Sequence, residues 1–359
     1  MADITPIAAG QAPIDYLAPG TDQHARVLSY LMDRINYSAD KMKAFHSRWR
    51  MNELMLQAYV GLNDFDEMLK FANDQRKGSG APIEINVPFA WATVNTIVTY
   101  LLHTFAGRSP IFTVSSYRAE QVQRAKNMEM LLQYNADYAR FIRALYFFLM
   151  DGETYGLAVM RTLWKQETRR RTVIIPPDPQ LVQVMAQFGQ VPQETRQTEE
   201  YVCFEGNTVT NVDPFMFFPD PRVPMHEVAE KGEFVFWRAF LGKHILLREQ
   251  AAGLVKWVDR VSPDEWGGEQ NDAGASARGM RALGTSHPGD RETSNGSRRI
   301  SPNYRTDQGT VEIVPKDLGL GDSDVPEKWI FSILNGKQII QAEPIELPSG
   351  KHPVEVAEP

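Results

Sequence analysis

Three carboxylates near the middle of the chain, Asp213, Asp220 and Glu227, have the residue types from which a two-metal nuclease centre could be built. Asp213 and Asp220 each precede a proline, where aspartate commonly initiates a turn, so turn chemistry is the expected role. The histidines at 24, 46, 103, 226, 244, 287 and 352 show no His-x-x-x-His pair, and Cys203 is the only cysteine, so neither spacing typical of zinc is found. Cys203 sits in an apolar segment without a neighbouring cation to activate it, which predicts a buried structural thiol. Gly242-Lys243 and Gly336-Lys337 lack the second glycine and the hydroxyl of a phosphate-binding loop and read as turns. The chain is therefore read as not an enzyme, with no catalytic residue, cofactor or metal expected.

The densest basic run comprises Arg161, Lys165, Arg169, Arg170 and Arg171. It is a candidate to face DNA phosphates or an acidic neighbour, and the plainer reading is an exposed turn between two strands. Four further residues are singled out for backbone geometry: Gly152 and Gly156 for conformational freedom, Pro110 and Pro214 for turns.

Bulk properties narrow the function classes. The 359 residues are 43% hydrophobic and 23% charged, ordinary for a globular chain, and no apolar run approaches the roughly 18 residues of a membrane span. A net charge of -7 argues against tight binding of nucleic acid through phosphate neutralisation. One cysteine and an N-terminus without basic and apolar signal regions fit synthesis in a reducing cytoplasm, and no membrane partner is expected.

The elements that must position these residues fall in order along the chain. Residues 1–21, rich in Ala, Gly and Pro, read as a flexible arm. From 22 to 156 the pattern is helical. Leu28, Leu31, Ile35, Met42, Phe45 and Trp49 form one stripe broken by Ser38, and Trp91, Val94, Ile97, Leu101 and Phe105 form the apolar face of a second helix. After the apolar segment Ser109–Val114, read as a strand, helical spacing over about 119–151 predicts one long helix. Its stripe of Leu131, Tyr134, Tyr138, Phe141, Leu145 and Phe148 should be buried.

Residues 157–261 read as strand-rich, with strands at 157–164, 171–175, 200–212 and 233–240 and a hairpin at Glu205-Gly206-Asn207. The stretch 262–309, dense in Gly, Ser, Asn and Asp, reads as a mobile linker or surface excursion. Residues 310–359 form a terminal β-hairpin region, with Asn335-Gly336 as its turn.

One family carries this order of elements. A helix ending at His103-Thr104-Phe105-Ala106-Gly107-Arg108-Ser109-Pro110, a Pro-apolar-Phe-x-Val segment, a long helix, the Asp151-Gly152-x-x-Tyr155-Gly156 turn and a strand ending Trp164-Lys165 resemble the N-terminal half of tailed-bacteriophage portal proteins. Asn211-Val212-Asp213-Pro214-Phe215 and Phe218-Pro219-Asp220-Pro221 are similar to a second family segment. The resemblance covers about 25–260, with a weaker echo from Val311 to Pro353. None of its motifs is catalytic.

The resemblance implies an α+β fold, a portal-like wing with long amphipathic helices followed by a strand-rich region of short antiparallel strands. It implies a subunit of a homo-oligomeric ring, a dodecamer in the family, at the unique capsid vertex of a virion assembled in the host cytoplasm. The ring would be the channel for DNA packaging and ejection. Its implied partners are the major capsid protein, the terminase large subunit, head-tail adaptor or tail proteins, and double-stranded DNA passing without sequence specificity. The family's stem and crown helices and clip domain are not recognisable after Asp259. Two alternatives stand beside it: another virion component such as a head-tail adaptor or internal capsid protein, and a divergent metal-dependent nucleic-acid enzyme.

Overall fold

The computed structural model describes residues 13–56, 89–175, 195–261, 303–345 and 350–358, and these form an α+β fold. Helix α1 (Asp22–Leu56) starts where the Thr21 hydroxyl accepts the His24 N–H, with Asp22 beside the positive end of the helix dipole. Its stripe is buried at Leu31, Ile35, Met42 and Trp49, while Leu28 is half-buried and its neighbour Val27 takes the buried place. Ser38 does not interrupt that face. It is buried and donates its hydroxyl to the Pro219 carbonyl at 2.6 Å, so the one polar group on the stripe is satisfied. Phe45 leaves the stripe and is 41% exposed.

Helices α2 (Phe89–Ala106), α3 (Val122–Tyr138) and α4 (Phe141–Tyr155) follow. The single helix expected over 119–151 is two. Arg140 takes a left-handed φ of 53° between them, and neither glycine nor proline marks the break. Ser109–Val114 is not a strand: the N–H groups of Ile111 and Val114 are held by side chains of α3, Gln133 and Glu129, at 3.0 and 3.1 Å.

Strand β1 (Ala158–Ile175) merges two expected strands, and β2 (Thr195–Val212) runs unbroken through Glu205-Gly206-Asn207, where a hairpin was expected. After β3 (Phe217–Pro219) come a single helical turn, α5 (Val228–Lys231), then β4 (Phe234–Gly242) and α6 (Lys243–Ala251). The last elements are β5 (Asn303–Ile313), the turn α7 (Pro315–Leu318), β6 (Glu327–Leu334), β7 (Gln338–Pro344) and β8 (Val354–Ala357).

Two antiparallel sheets result, β3-β4-β5-β6-β7 and β2-β1-β8. In the larger, Gly309 stands opposite Phe236, and a Cβ there would lie 2.3 Å from the Val235 carbonyl oxygen, so the site excludes a side chain. β6 and β7 are joined at Asn335 and Gly336, both at positive φ, as the Asn-Gly signal predicts. The main core lies between this sheet and α1, where Val27, Leu31 and Ile35 meet Phe234, Phe236, Phe331 and Ile339.

Two boundaries differ from expectation. Ile14 and Leu17, within the expected arm, are buried in that core, because a 3-10 turn at Pro13–Leu17 presents both inward. The end of the expected linker, 303–309, is strand, because it pairs with β4 and β6 on its two sides. The remainder of the arm (1–12) and of the linker (262–302) lies outside the described residues.

By its contacts the chain divides into two compact units, discontinuous in sequence. One comprises Met1–Arg108, Ile142–Arg161 and Asn211–Pro359, the other Ser109–Phe141 and Thr162–Thr210.

Candidate functional site

Helix α2 holds no Asp, Glu, Lys or Arg over its 18 residues. A helix without charge on any face is ordinarily enclosed by protein or lipid. Here only Val98 is buried, while Trp91 is 53% and Tyr100 71% exposed and Phe89 and Phe105 also face outward. Four of its polar side chains bond back to the helix itself. Asn95 donates to the Trp91 carbonyl, Thr96 to Ala92, Thr99 to Asn95 and Thr104 to Tyr100, each at 2.7–2.8 Å and each one helical turn back. Those four donors would not be stranded if this surface were covered, which lowers the cost of burying it. Trp91, Asn95, Thr99, Tyr100 and His103 line a shallow groove along it.

In the second unit α3 is divided between two surroundings. Tyr138 stacks on Phe204 of β2 and donates its hydroxyl to Glu167 of β1 at 2.7 Å. That carboxylate, bonded to the phenol, pushes the Tyr138 pKa up to about 12. Met128, Met130, Leu131 and Tyr134 are exposed, and Phe141 is half-buried, so the expected burial of the whole stripe fails. α3 spans only part of the predicted helix, and its packing ends after one face.

The basic run does not form one patch. Arg161 is half-buried, with its guanidinium 5.1 Å from the Trp237 ring and donating to Gln308 at 3.2 Å, and burial lowers its pKa to about 10. Lys165 pairs with Glu167, Arg170 with Glu200 and Arg171 with Glu199. Successive strand residues face opposite ways, so Arg170 and Arg171 form their pairs on opposite faces of the β1–β2 ribbon. Arg169 is exposed, near enough to Glu167 to help lower the pKa of that carboxyl, which Lys165 lowers most. The glutamates of β2 lie some thirty residues downstream in sequence, a pairing that local spacing does not reveal.

The other singled-out residues have local roles. Pro110 follows a cis peptide bond from Ser109. Gly156 ends α4 at a φ of 70°, where a side chain would be strained. Gly152 lies inside α4 rather than in the turn after it. The helix continues because Tyr155 is buried among Trp49 and Phe215 and bonds its hydroxyl to Glu53. Pro214 opens a 3-10 turn capped by Asp213, whose carboxylate accepts the Phe215 N–H at 3.0 Å.

Asp220 likewise accepts the Arg222 N–H at 3.1 Å and the Glu233 N–H at 3.1 Å. Both aspartates thus carry turn hydrogen bonds. Among the described residues no group of three or more His, Cys, Asp or Glu is placed to hold a metal ion. Cys203 is half-buried on β2, less enclosed than expected, because one side of the ribbon faces solvent. In comparisons with known proteins, no family model matches the chain and no curated protein matches it significantly.

Proposed function

We propose that this chain is a portal subunit of a tailed bacteriophage, a structural protein that closes with further copies into a ring at one capsid vertex. The observation that carries the reading is α2, an outward-facing helix without Asp, Glu, Lys or Arg, four of whose polar side chains are already bonded to its own backbone. A surface of that kind is suited to burial against protein. A ring contact is heterologous, one patch meeting a different patch of the next copy, and repetition closes it around an axis. The exposed Met128, Met130 and Leu131 of α3 supply a second, different apolar patch on the same chain.

The electrostatics support a channel that lets DNA slide. Net charge is -7, and Lys165, Arg170 and Arg171 are neutralised by glutamates. Few phosphate contacts would form, and affinity for duplex would be low and salt-sensitive. In this reading the ring docks the capsid protein, the terminase large subunit and head-tail adaptors, and passes double-stranded DNA without reading its sequence. Sedimentation and native mass spectrometry test the assembly step. Closed rings of one stoichiometry support it, whereas two-fold dimers or a persistent monomer at high concentration overturn it.

A further inference from the structure

Residues 350–358 form a strap across the first unit, held at several points. Lys328 donates to the Gly350 carbonyl at 2.6 Å, Lys351 pairs with Glu230, and the His352 N–H donates to Ala229 O at 2.7 Å. Beyond it, Val354–Ala357 pair with Ala158–Arg161 of β1. His352 is the only titratable side chain of the strap that is buried, at 3% exposure. Its ring bridges two further segments: Nε2 lies 2.8 Å from the Gly232 carbonyl and Nδ1 lies 2.7 Å from the Thr310 hydroxyl.

A carbonyl only accepts, so Nε2 carries the proton and Nδ1 accepts from Thr310. The neutral ring is therefore fully bonded. We propose that His352 is a proton-operated latch, whose protonation frees the 350–358 strap and uncovers the β1 edge at Ala158–Arg161. A second ring proton would sit on Nδ1, so the buried Thr310 hydroxyl would have to become its acceptor and its own hydrogen would lose the ring as partner. Among the described residues no carboxylate is hydrogen-bonded to the ring to compensate the charge.

The charged groups around it do not supply that compensation. Lys328 of β6, itself beside Glu312 of β5, opposes a second cation. Asp220 favours one but is already engaged by Arg222 and the Glu233 N–H. Glu230 and Lys231 of α5 and Lys351, Glu355 and Glu358 of the strap are at the surface; Glu230 is occupied by Lys351, and Glu358 lies 3.7 Å from His226, an exposed contact that holds the strap only when that ring is protonated and so opposes, weakly, its acid release. When the strap leaves, the ring regains water and its ordinary basicity. Burial, first, and then Lys328, against the opposing pull of the Gly232 carbonyl and Asp220, hold the His352 pKa down at about 4. The folded value is below the unfolded one, so the latch is fully closed above about pH 6.5 and weakens as pH falls towards 4.

The test is amide hydrogen exchange of the full chain from pH 7 to 5, corrected for intrinsic rates, in wild type, His352→Gln and Glu230→Gln. The amide of glutamine keeps one donor and one acceptor but does not titrate. Opening of 350–358 in wild type should rise about twentyfold by pH 5, while β4 and β5 amides stay protected. His352→Gln should show no such rise, and Glu230→Gln should follow wild type. Strap protection that is constant with pH, or a His352→Gln strap that opens in parallel with wild type, overturns the proposal. If His352→Gln does not fold, the ring titration of wild-type His352 by NMR replaces it. Coincidence of that titration with strap opening supports the latch, and a midpoint at or above 6.5 with the strap closed rejects it.

Discussion

The rings of Tyr138 and Phe204 lie 3.7 Å apart between centroids and 4° from parallel, the closest aromatic stack among the described residues. It joins α3 to β2, while Leu131, two turns earlier on the same helix, is 52% exposed. The two positions should respond differently to truncation. Phe204→Ala should cost about 3 kcal/mol, read by urea unfolding of the second unit. Leu131→Ser should stay within about 0.5 kcal/mol. Equal losses at both sites would mean that the helix is buried on both faces.

Arg238 of β4 donates to Asp307 of β5 at 2.6 Å, and Asp307 is inaccessible to solvent. Asp307 also lies 3.4 Å from Arg305, so Asp307→Ala removes a buried carboxylate shared by two guanidinium groups and should destabilise by about 3 kcal/mol or more. Replacing Arg238 and Asp307 together by apolar groups of similar size should recover part of that loss, Arg305 still lacking the carboxylate. A double variant no better than the single one would assign the energy to packing around Asp307 rather than to the pair.

A second acid response lies below that of His352. Burial raises the Asp220 pKa, but hydrogen bonds from Arg222 and from the Arg222 and Glu233 amides more than reverse this and leave it lowered. In Glu233 the same contest between burial and the Arg222 and Arg34 guanidinium groups also ends low. Both folded values are depressed, so their stabilisation is complete above about pH 4.5 and is lost as pH falls through the lower folded values. Unfolding measured from pH 5 to 2.5 in a His352→Gln background should show this loss. Arg222→Gln should be less stable at pH 5 and should fall less steeply below it.

On α2, Trp91 and Tyr100 are exposed in the single chain, so serine at either should leave the thermal midpoint of dilute protein within a few degrees. Self-association should weaken at least tenfold, read by sedimentation equilibrium. A large fall in midpoint with association intact would place these side chains in the fold of one chain.

Local periodicity made α1, β4 and the β6–β7 hairpin readable, because each carries its own signal: a stripe, an apolar alternation or an Asn-Gly turn. Ser38 reads as an interruption of the stripe because sequence does not show that Pro219 offers it a carbonyl. The break at Arg140 was invisible for a related reason, since a left-handed arginine is chosen by tertiary packing and not by its own preference. Glu205-Gly206-Asn207 has turn composition, yet Gly206 continues β2 beside Asn135, where a Cβ would come within 2.6 Å of the Asn135 side-chain oxygen. The apolar face of α2 is legible as apolar and its exposure is not, because periodicity marks which residues are apolar and not what lies against them. For the basic run, composition predicted charge and could not foresee the glutamates of β2 that offset it.

The proposed ring of this chain at one vertex is open to an asymmetric cryo-electron microscopy reconstruction of the intact virion. The portal reading predicts density fitting α1 and the five-stranded sheet at the single tail vertex, repeated around an opening that holds duplex DNA, with α2 covered by a neighbouring copy. Density for the chain at many equivalent capsid positions, in an adaptor ring outside the capsid, or nowhere in the virion would contradict it.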